Sequence, residues 1–208
     1  MTENKKWIDY DSSSGKIEKL LQQQKPFTAE EARTAGISAQ MLAHYCRKGK
    51  LERACRGIYT PPETEITQYP EIELLVRKKT DFVVCLISAL QIHEFTTQLA
   101  NTLWIAIRQG ARIPSVQFPI HCIRLTDAVY SYGIEERELN GLKFKVFSAA
   151  KTVADCFKFR NKIGLDVALE ALKEGYRKKM FTPSELHNAA EICRVKNVIR
   201  PYEELILS

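Results

Sequence analysis

The stretch from Thr28 to Thr60 constrains the fold more tightly than any other part of the chain. Thr28-Ala-Glu-Glu31 has the form of a capping box, in which the threonine hydroxyl caps a helix start and the glutamate reaches back. The helix this opens, about Ala29 to Ala35, is closed by Gly36, which readily takes the left-handed turn conformation. Ser38 caps a following helix, about Ala39 to Lys48, closed by Gly49. At helical spacing Leu42, Tyr45 and Cys46 point one way, with Tyr45 expected in the core, while Gln40, Ala43, His44 and Arg47 point the other. Two short helices joined by a glycine-containing turn are the signature of a helix-turn-helix. Leu51–Ala54 and Ile58–Thr60 then read as two short strands with Gly57 at the bend, which makes a wing. Pro61-Pro62 ends the unit, and the acidic stretch from Glu63 to Glu65 reads as a linker.

Charge sharpens this reading. The 208 residues carry 31 Lys and Arg against 25 Asp and Glu, a formal +6 that mildly favours an anionic partner. Most of that excess sits in one place: between His44 and Ile58, Arg47, Lys48, Lys50, Arg53 and Arg56 face only Glu52. A helix fits the major groove of DNA, where its outward side chains read base edges. Gln40 suits the bidentate contact to adenine, Arg47 suits guanine or a phosphate, and His44 lies on the same face. Lys48 and Lys50 end the helix, where phosphate contact is the expectation. Arg53 and Arg56 on the wing are placed for the flanking backbone or the adjacent minor groove. The Ser38 hydroxyl with the helix N-terminus offers a further phosphate site. The expected partner is double-stranded DNA. A basic but merely solvated helix, and an RNA- or protein-binding module, are the competing readings; the second lacks the exposed aromatics that stack single-stranded bases.

The remainder mixes helix and strand. Residues 1–13 are polar and expected to fray, although Trp7, Ile8 and Tyr10 are candidates to dock; Ile17, Leu20 and Leu21 mark a short amphipathic helix within Gly15–Gln24. Pro70 opens another helix, Phe82–Ile87 is a buried strand or the start of a buried helix, and Thr102–Arg108, Ile120–Leu125 and Leu142–Phe147 read as strands. The last sixty residues are helical: Ala150, Val153, Ala154 and Phe157 form one apolar stripe, Val167, Ala171 and Leu172 another, and Thr182-Pro-Ser-Glu185 is a second capping box. The six cysteines are scattered, with no Cys-x-x-Cys pair and no clustered histidine, so free thiols are expected and neither a metal nor a cofactor. No apolar run reaches membrane-spanning length and no secretory signal is visible, which points to the cytoplasm.

Gly36-Ile-Ser-Ala-Gln-Met-Leu-Ala-His-Tyr-Cys-Arg-Lys-Gly-Lys-Leu-Glu-Arg-Ala-Cys-Arg-Gly-Ile-Tyr59 resembles the N-terminal domain of AbiEi-type antitoxins. Ile87-Ser-Ala-Leu-Gln-Ile-His93, Thr102–Arg108 and Phe147-Ser-Ala-Ala-Lys-Thr-Val-Ala-Asp155 are similar to that family's C-terminal region, so the resemblance runs over about residues 14–180. It implies an antitoxin of a type IV toxin–antitoxin system linked to abortive infection by phage, which binds inverted repeats at its own promoter and represses the operon. The implied counterpart is a nucleotidyltransferase-like toxin, opposed without a stable complex. Carried over by position, the DNA-contacting candidates are Gln40, His44, Arg47, Lys48, Arg53 and Arg56.

In the second half, Lys151, Asp155 and Lys158 fall at i, i+4, i+7 opposite the apolar stripe. They read either as an exposed face with a helix-stabilising Lys–Asp pair or, with Arg160, as a second basic surface. Arg177, Lys178 and Lys179 read as a solvated helix end, and His93 as a hydrogen-bonded packing residue. Phosphate-cradling loops, His-Glu-x-x-His and Gly-x-Ser-x-Gly are all absent from the sequence. The expectation is no enzyme; a nuclease-like protein, with Lys151 and Asp155 as its nearest acid–lysine pair, and a plain regulator without a toxin stay as alternatives. The chain is thus expected to be α+β, with a winged helix-turn-helix over residues 1–62 and a larger mixed regulatory domain over 69–208. It would be a monomer in solution or a dimer on DNA.

Overall fold

The computed structural model describes residues 10–55, 57–62, 69–95, 102–116, 118–139 and 141–207. Trp7, Ile8, Arg56 and the expected linker Glu63–Glu65 lie outside the described residues. The chain divides into two compact units, residues 1–80 with 114–118, and residues 81–113 with 119–208. The expected boundary between 62 and 69 differs from this division, which comes after Thr80 and assigns a five-residue segment of the later chain to the first unit.

The first unit runs α1 (Tyr10–Gln22), β1 (Phe27–Thr28), α2 (Ala29–Thr34), α3 (Ala39–Arg47), β2 (Glu52–Cys55), β3 (Ile58–Thr60) and α4 (Pro70–Arg77). The first helix starts at Tyr10, five residues before the expected Gly15 and inside the stretch expected to fray. The three strands form one antiparallel sheet in the order β1-β3-β2, with Phe27 opposite Tyr59 and Cys55 opposite Ile58. Only the β2–β3 hairpin was legible in the sequence; a two-residue strand has no period to read. The core gathers Ile17, Phe27, Ala32, Ile37, Met41, Leu42 and Leu51.

Both short helices end in the same way. In α2, Ile37 N–H donates to the Ala32 carbonyl and Gly36 N–H to that of Arg33, with Gly36 at φ +81°. In α3, Lys50 N–H donates to the Tyr45 carbonyl and Gly49 N–H to that of Cys46, with Gly49 at φ +67°. These are Schellman closures, which need a residue tolerant of the left-handed region at that position. The capping box is complete: the Thr28 hydroxyl accepts from Glu31 N–H at 3.0 Å and Glu31 Oε2 accepts from Thr28 N–H at 2.6 Å. The other oxygen of Glu31 takes Arg77 of α4 at 3.3 Å, and Arg77 also bonds the buried Glu73 at 3.4 Å. Lys79 pairs with Glu30 at 3.6 Å. These contacts fix α4 to the first unit, where Leu74 packs with Ile58, Val116 and Phe118.

The second unit contains β4 (Val83–Val84), α5 (Leu86–Ile92), β5 (Leu103–Arg108), β6 (Ile120–Leu125), α6 (Asp127–Tyr130), β7 (Ile134–Leu139) and β8 (Leu142–Phe147). It continues with α7 (Ala149–Lys158), α8 (Arg160–Ile163), α9 (Leu165–Arg177), α10 (Pro183–Ile192) and α11 (Lys196–Leu207). The apolar run Phe82–Ile87 turns out to be both strand and helix, since the chain passes from β4 into α5 through Leu86 at φ +48°. The sheet is mixed, in the order β6-β5-β4-β8-β7, with β4/β8 and β5/β6 parallel. Strand β7 escaped the sequence reading because Ile-Glu-Glu-Arg-Glu-Leu is mostly charged; it is an edge strand paired on one side to β8. Edge strands tolerate such composition, and charge there discourages pairing with other chains.

One face of the sheet gives Val83, Ala106, Ile123, Leu125 and Phe147 to a core completed by Val153, Ala154 and Phe157 of α7, Val167, Ala171 and Leu172 of α9, and Leu186 and Ala190 of α10. Helix α7 lies at the middle of this layer, in contact with α5, α9, α10 and α11. Every residue from Ala149 to Phe157 is buried as a result.

Candidate nucleic-acid interface

Helix α3 is capped by Ser38, whose hydroxyl accepts from Met41 N–H at 3.2 Å. That bond satisfies one of the four N–H groups a helix start leaves open. The hydroxyl is thus already an acceptor in the cap, and its own proton stays available to an anion. Met41 and Leu42 are buried, at 5% and 1% exposure, and hold the helix to the core. Gln40, Ala43, Arg47 and Lys48 are exposed, and His44 is half-buried with its ring edge-on to Tyr45 at 6.0 Å. Tyr45, expected in the core, shares the buried face with Met41 and Leu42 and packs against the core from its margin, where it is half-buried.

Lys50 and Arg53 continue the exposed basic surface beyond α3, and Gly57 turns the hairpin at φ +85°. Cys46 sits close enough to feel Arg53: burial raises its thiol pKa and the guanidinium partly offsets that. Among the described residues Arg47, Lys48 and Lys50 take part in no internal ion pair. The geometry therefore brings Ser38, Gln40, His44, Arg47 and Lys48 onto one helix and its start, with Arg53 on the adjoining strand. Arg56 falls outside the described residues.

The family comparison speaks to this same stretch. Residues 16–62 match a family model described as a transcriptional regulator, AbiEi antitoxin. Over these residues the chain is similar to that antitoxin family. The match starts within α1 and ends at Pro62, so it takes in both short helices, the hairpin and the core beneath them. The later segments that resemble AbiEi proteins lie beyond the matched residues. No curated protein matches the chain.

Outside the matched residues the suggested second basic surface does not form as expected. Lys151 is fully buried at 0% exposure, as is Asp155, and the two make an ion pair inside the core. The Lys151 ammonium also lies 4.2 Å from the centre of the Phe147 ring, and the Cys193 thiol donates to Asp155 Oδ1 at 3.3 Å. Gly133 makes room for this packing, since a Cβ there would come within 2.8 Å of Lys151 Cβ. Lys158 and Arg160 are half-buried, and Arg160 donates to the Phe157 carbonyl at 2.8 Å. The i, i+4 spacing of a lysine and an acid looks the same in sequence whether the helix is peripheral or central. Here helices cover both sides of α7, and the pair is internal.

Burial raises the pKa of the Cys85 and Cys156 thiols well above the ordinary value, with the Asp155 charge adding to it, and that of Cys193 is pushed up to about 12 for the same two reasons. These thiols are packing groups at neutral pH. The expected solvated end at Arg177–Lys179 is exposed: Arg177 pairs with Glu174, and Lys178 donates to the Glu94 carbonyl.

His93 is the hydrogen-bonded packing residue expected. It is 6% exposed, and its Nε2–H donates to the Phe147 carbonyl at 2.7 Å when the ring is neutral. Burial holds its pKa below the ordinary value. A histidine with a lower pKa folded than unfolded contributes stability that is full above its unfolded pKa, about 6.5, and is lost as pH falls through the folded value. The melting temperature should therefore drop between pH 7.5 and pH 5, and drop less in His93→Gln, which keeps a donor and cannot titrate. Parallel declines in the two proteins would remove His93 from the cause.

Proposed function

We propose that this chain is a sequence-specific, double-stranded DNA-binding regulator that represses its own operon through inverted promoter repeats, using α2, α3 and the β2–β3 hairpin as a winged helix-turn-helix. The observation that carries the reading is the two-sided character of α3: Met41 and Leu42 are anchored in the core, while Gln40, Arg47 and Lys48 stand exposed. The AbiEi match over the same residues supports it. A lysine or arginine without an internal partner keeps its full charge for phosphate, and an exposed helix row can enter the major groove.

The wider role is that of an antitoxin in a type IV, abortive-infection system, acting in the cytoplasm opposite a nucleotidyltransferase-like toxin and without a stable complex. Two copies would occupy an inverted repeat, one per half-site. The role is one of binding rather than catalysis. Lys151 and Asp155, the pair a nuclease reading would use, have no exposed surface from which to reach a phosphodiester.

The test is a gel-shift with the promoter fragment upstream of the gene. Arg47→Ala is expected to weaken binding about tenfold or more, the worth of one good base or phosphate contact, with the melting temperature unchanged because Arg47 is exposed. Undiminished retention by that variant would count against α3 as the reading helix. A co-transcribed nucleotidyltransferase-like reading frame would support the antitoxin role, and its absence a plain repressor.

A further inference from the structure

The exposed face of α3 is not uniformly polar. Ala39 and Ala43 are both exposed on it, and Ala43 lies one turn from Gln40 on one side and one turn from Arg47 on the other. It is exposed where its neighbours Met41 and Leu42 are buried, so it marks the middle of the outward face. A residue there that carried a long side chain would stand the helix off whatever surface it meets. Alanine lets the backbone come close, while the longer Gln40 and Arg47 reach past it on either side.

The dimensions fit base reading. From Gln40 to Arg47 the helix rises about 10.5 Å, roughly three base-pair steps at 3.4 Å each. Within that span the only apolar group presented by the α3 row Gln40–Ala43–Arg47 is the Ala43 methyl. The only apolar group a base pair presents in the major groove is the 5-methyl of thymine.

We infer that Ala43 is a specificity-determining residue whose methyl packs against the 5-methyl of a thymine in the operator half-site, between the base pairs faced by Gln40 and Arg47. This rests on the duplex-DNA reading above and adds to it the chemistry of one base. It also gives a role to a residue that the charge pattern alone passes over.

The experiment selects high-affinity duplexes from a randomised pool with the full chain, then replaces each thymine of the selected half-site by deoxyuridine, one at a time. Removing a single contacted methyl is expected to weaken binding about fourfold at one position and to leave the others unchanged. Glycine lowers helix stability, so the quantity read for Ala43→Gly is the ratio of thymine to deoxyuridine affinity within that variant, which is expected to fall to about one. Ala43→Ser, whose hydroxyl cannot replace an apolar contact, is expected to give the same result. Equal affinity for thymine and deoxyuridine at every position, with duplex binding intact, overturns the inference alone. Failure to bind any duplex overturns the DNA reading, and this inference with it.

Discussion

Asp155→Ala is expected to lower the unfolding free energy by about 3–5 kcal/mol, a large share of the roughly 5–15 kcal/mol that holds a domain together. The reason is that Asp155 and Lys151 are both fully buried and partner each other. Removing the carboxylate leaves an ammonium in the core beside the Phe147 ring without its counter-charge, and leaves the Cys193 thiol without its acceptor. Lys151→Met should cost a similar amount for the mirror-image reason, a carboxylate stranded among Cys85, Cys156 and Cys193.

The double variant Lys151→Met/Asp155→Leu has a different expectation. With both charges gone there is nothing left to desolvate, and buried ion pairs replaced by apolar residues of similar volume are often neutral or stabilised by about 1–4 kcal/mol. Urea unfolding of the two single variants and the double variant, followed by tryptophan fluorescence, closes the cycle. A loss below about 1 kcal/mol in both single variants, the range of exposed pairs, would mean the pair is solvated. The same set of variants bears on catalysis, because a regulator that only binds DNA should keep operator affinity in the double variant once it folds.

The second large effect is expected from salt. Arg47, Lys48, Lys50 and Arg53 are exposed along α3 and the hairpin. If each neutralises one phosphate, the logarithm of affinity falls against the logarithm of salt with a slope near −3.6, about −0.9 per contact. Between 50 and 200 mM salt that is a loss of about 150-fold per half-site, and more when two copies share an inverted repeat. Lys48→Ala should reduce the slope by about one while weakening all duplexes alike, which separates a phosphate contact from a base contact. A slope near zero would place the basic segment away from the nucleic acid.

What the sequence by itself determined is the architecture of Thr28–Thr60. Each signal there is local: a threonine hydroxyl three residues from its glutamate, glycines where the chain must turn left-handed, and a helix whose apolar and polar residues separate by period. Groups three residues apart find each other whatever the rest of the chain does, so Thr28, Gly36, Ser38 and Gly49 could be assigned directly. The same is true of Thr182 and Glu185 in α10, where the capping box is again complete. The row Gln40–Ala43–Arg47 followed from helical period alone, and the alanine in it carries no polar group to mark it as a contact.

Tertiary structure alone decided the rest. Strand β1 exists because Phe27 and Thr28 meet Tyr59 and Ile58 about thirty positions later, and α4 joins the first unit through Arg77 and Leu74. Whether Lys151 and Asp155 face water or the core depends on helices α9, α10 and α11, which come later in the chain and cover α7. Side-chain spacing fixes which residues share a helix face, but only the partners packed against that face fix its dielectric. A charged pair at i, i+4 reads identically in both settings, and the cost of removing it differs by several kcal/mol.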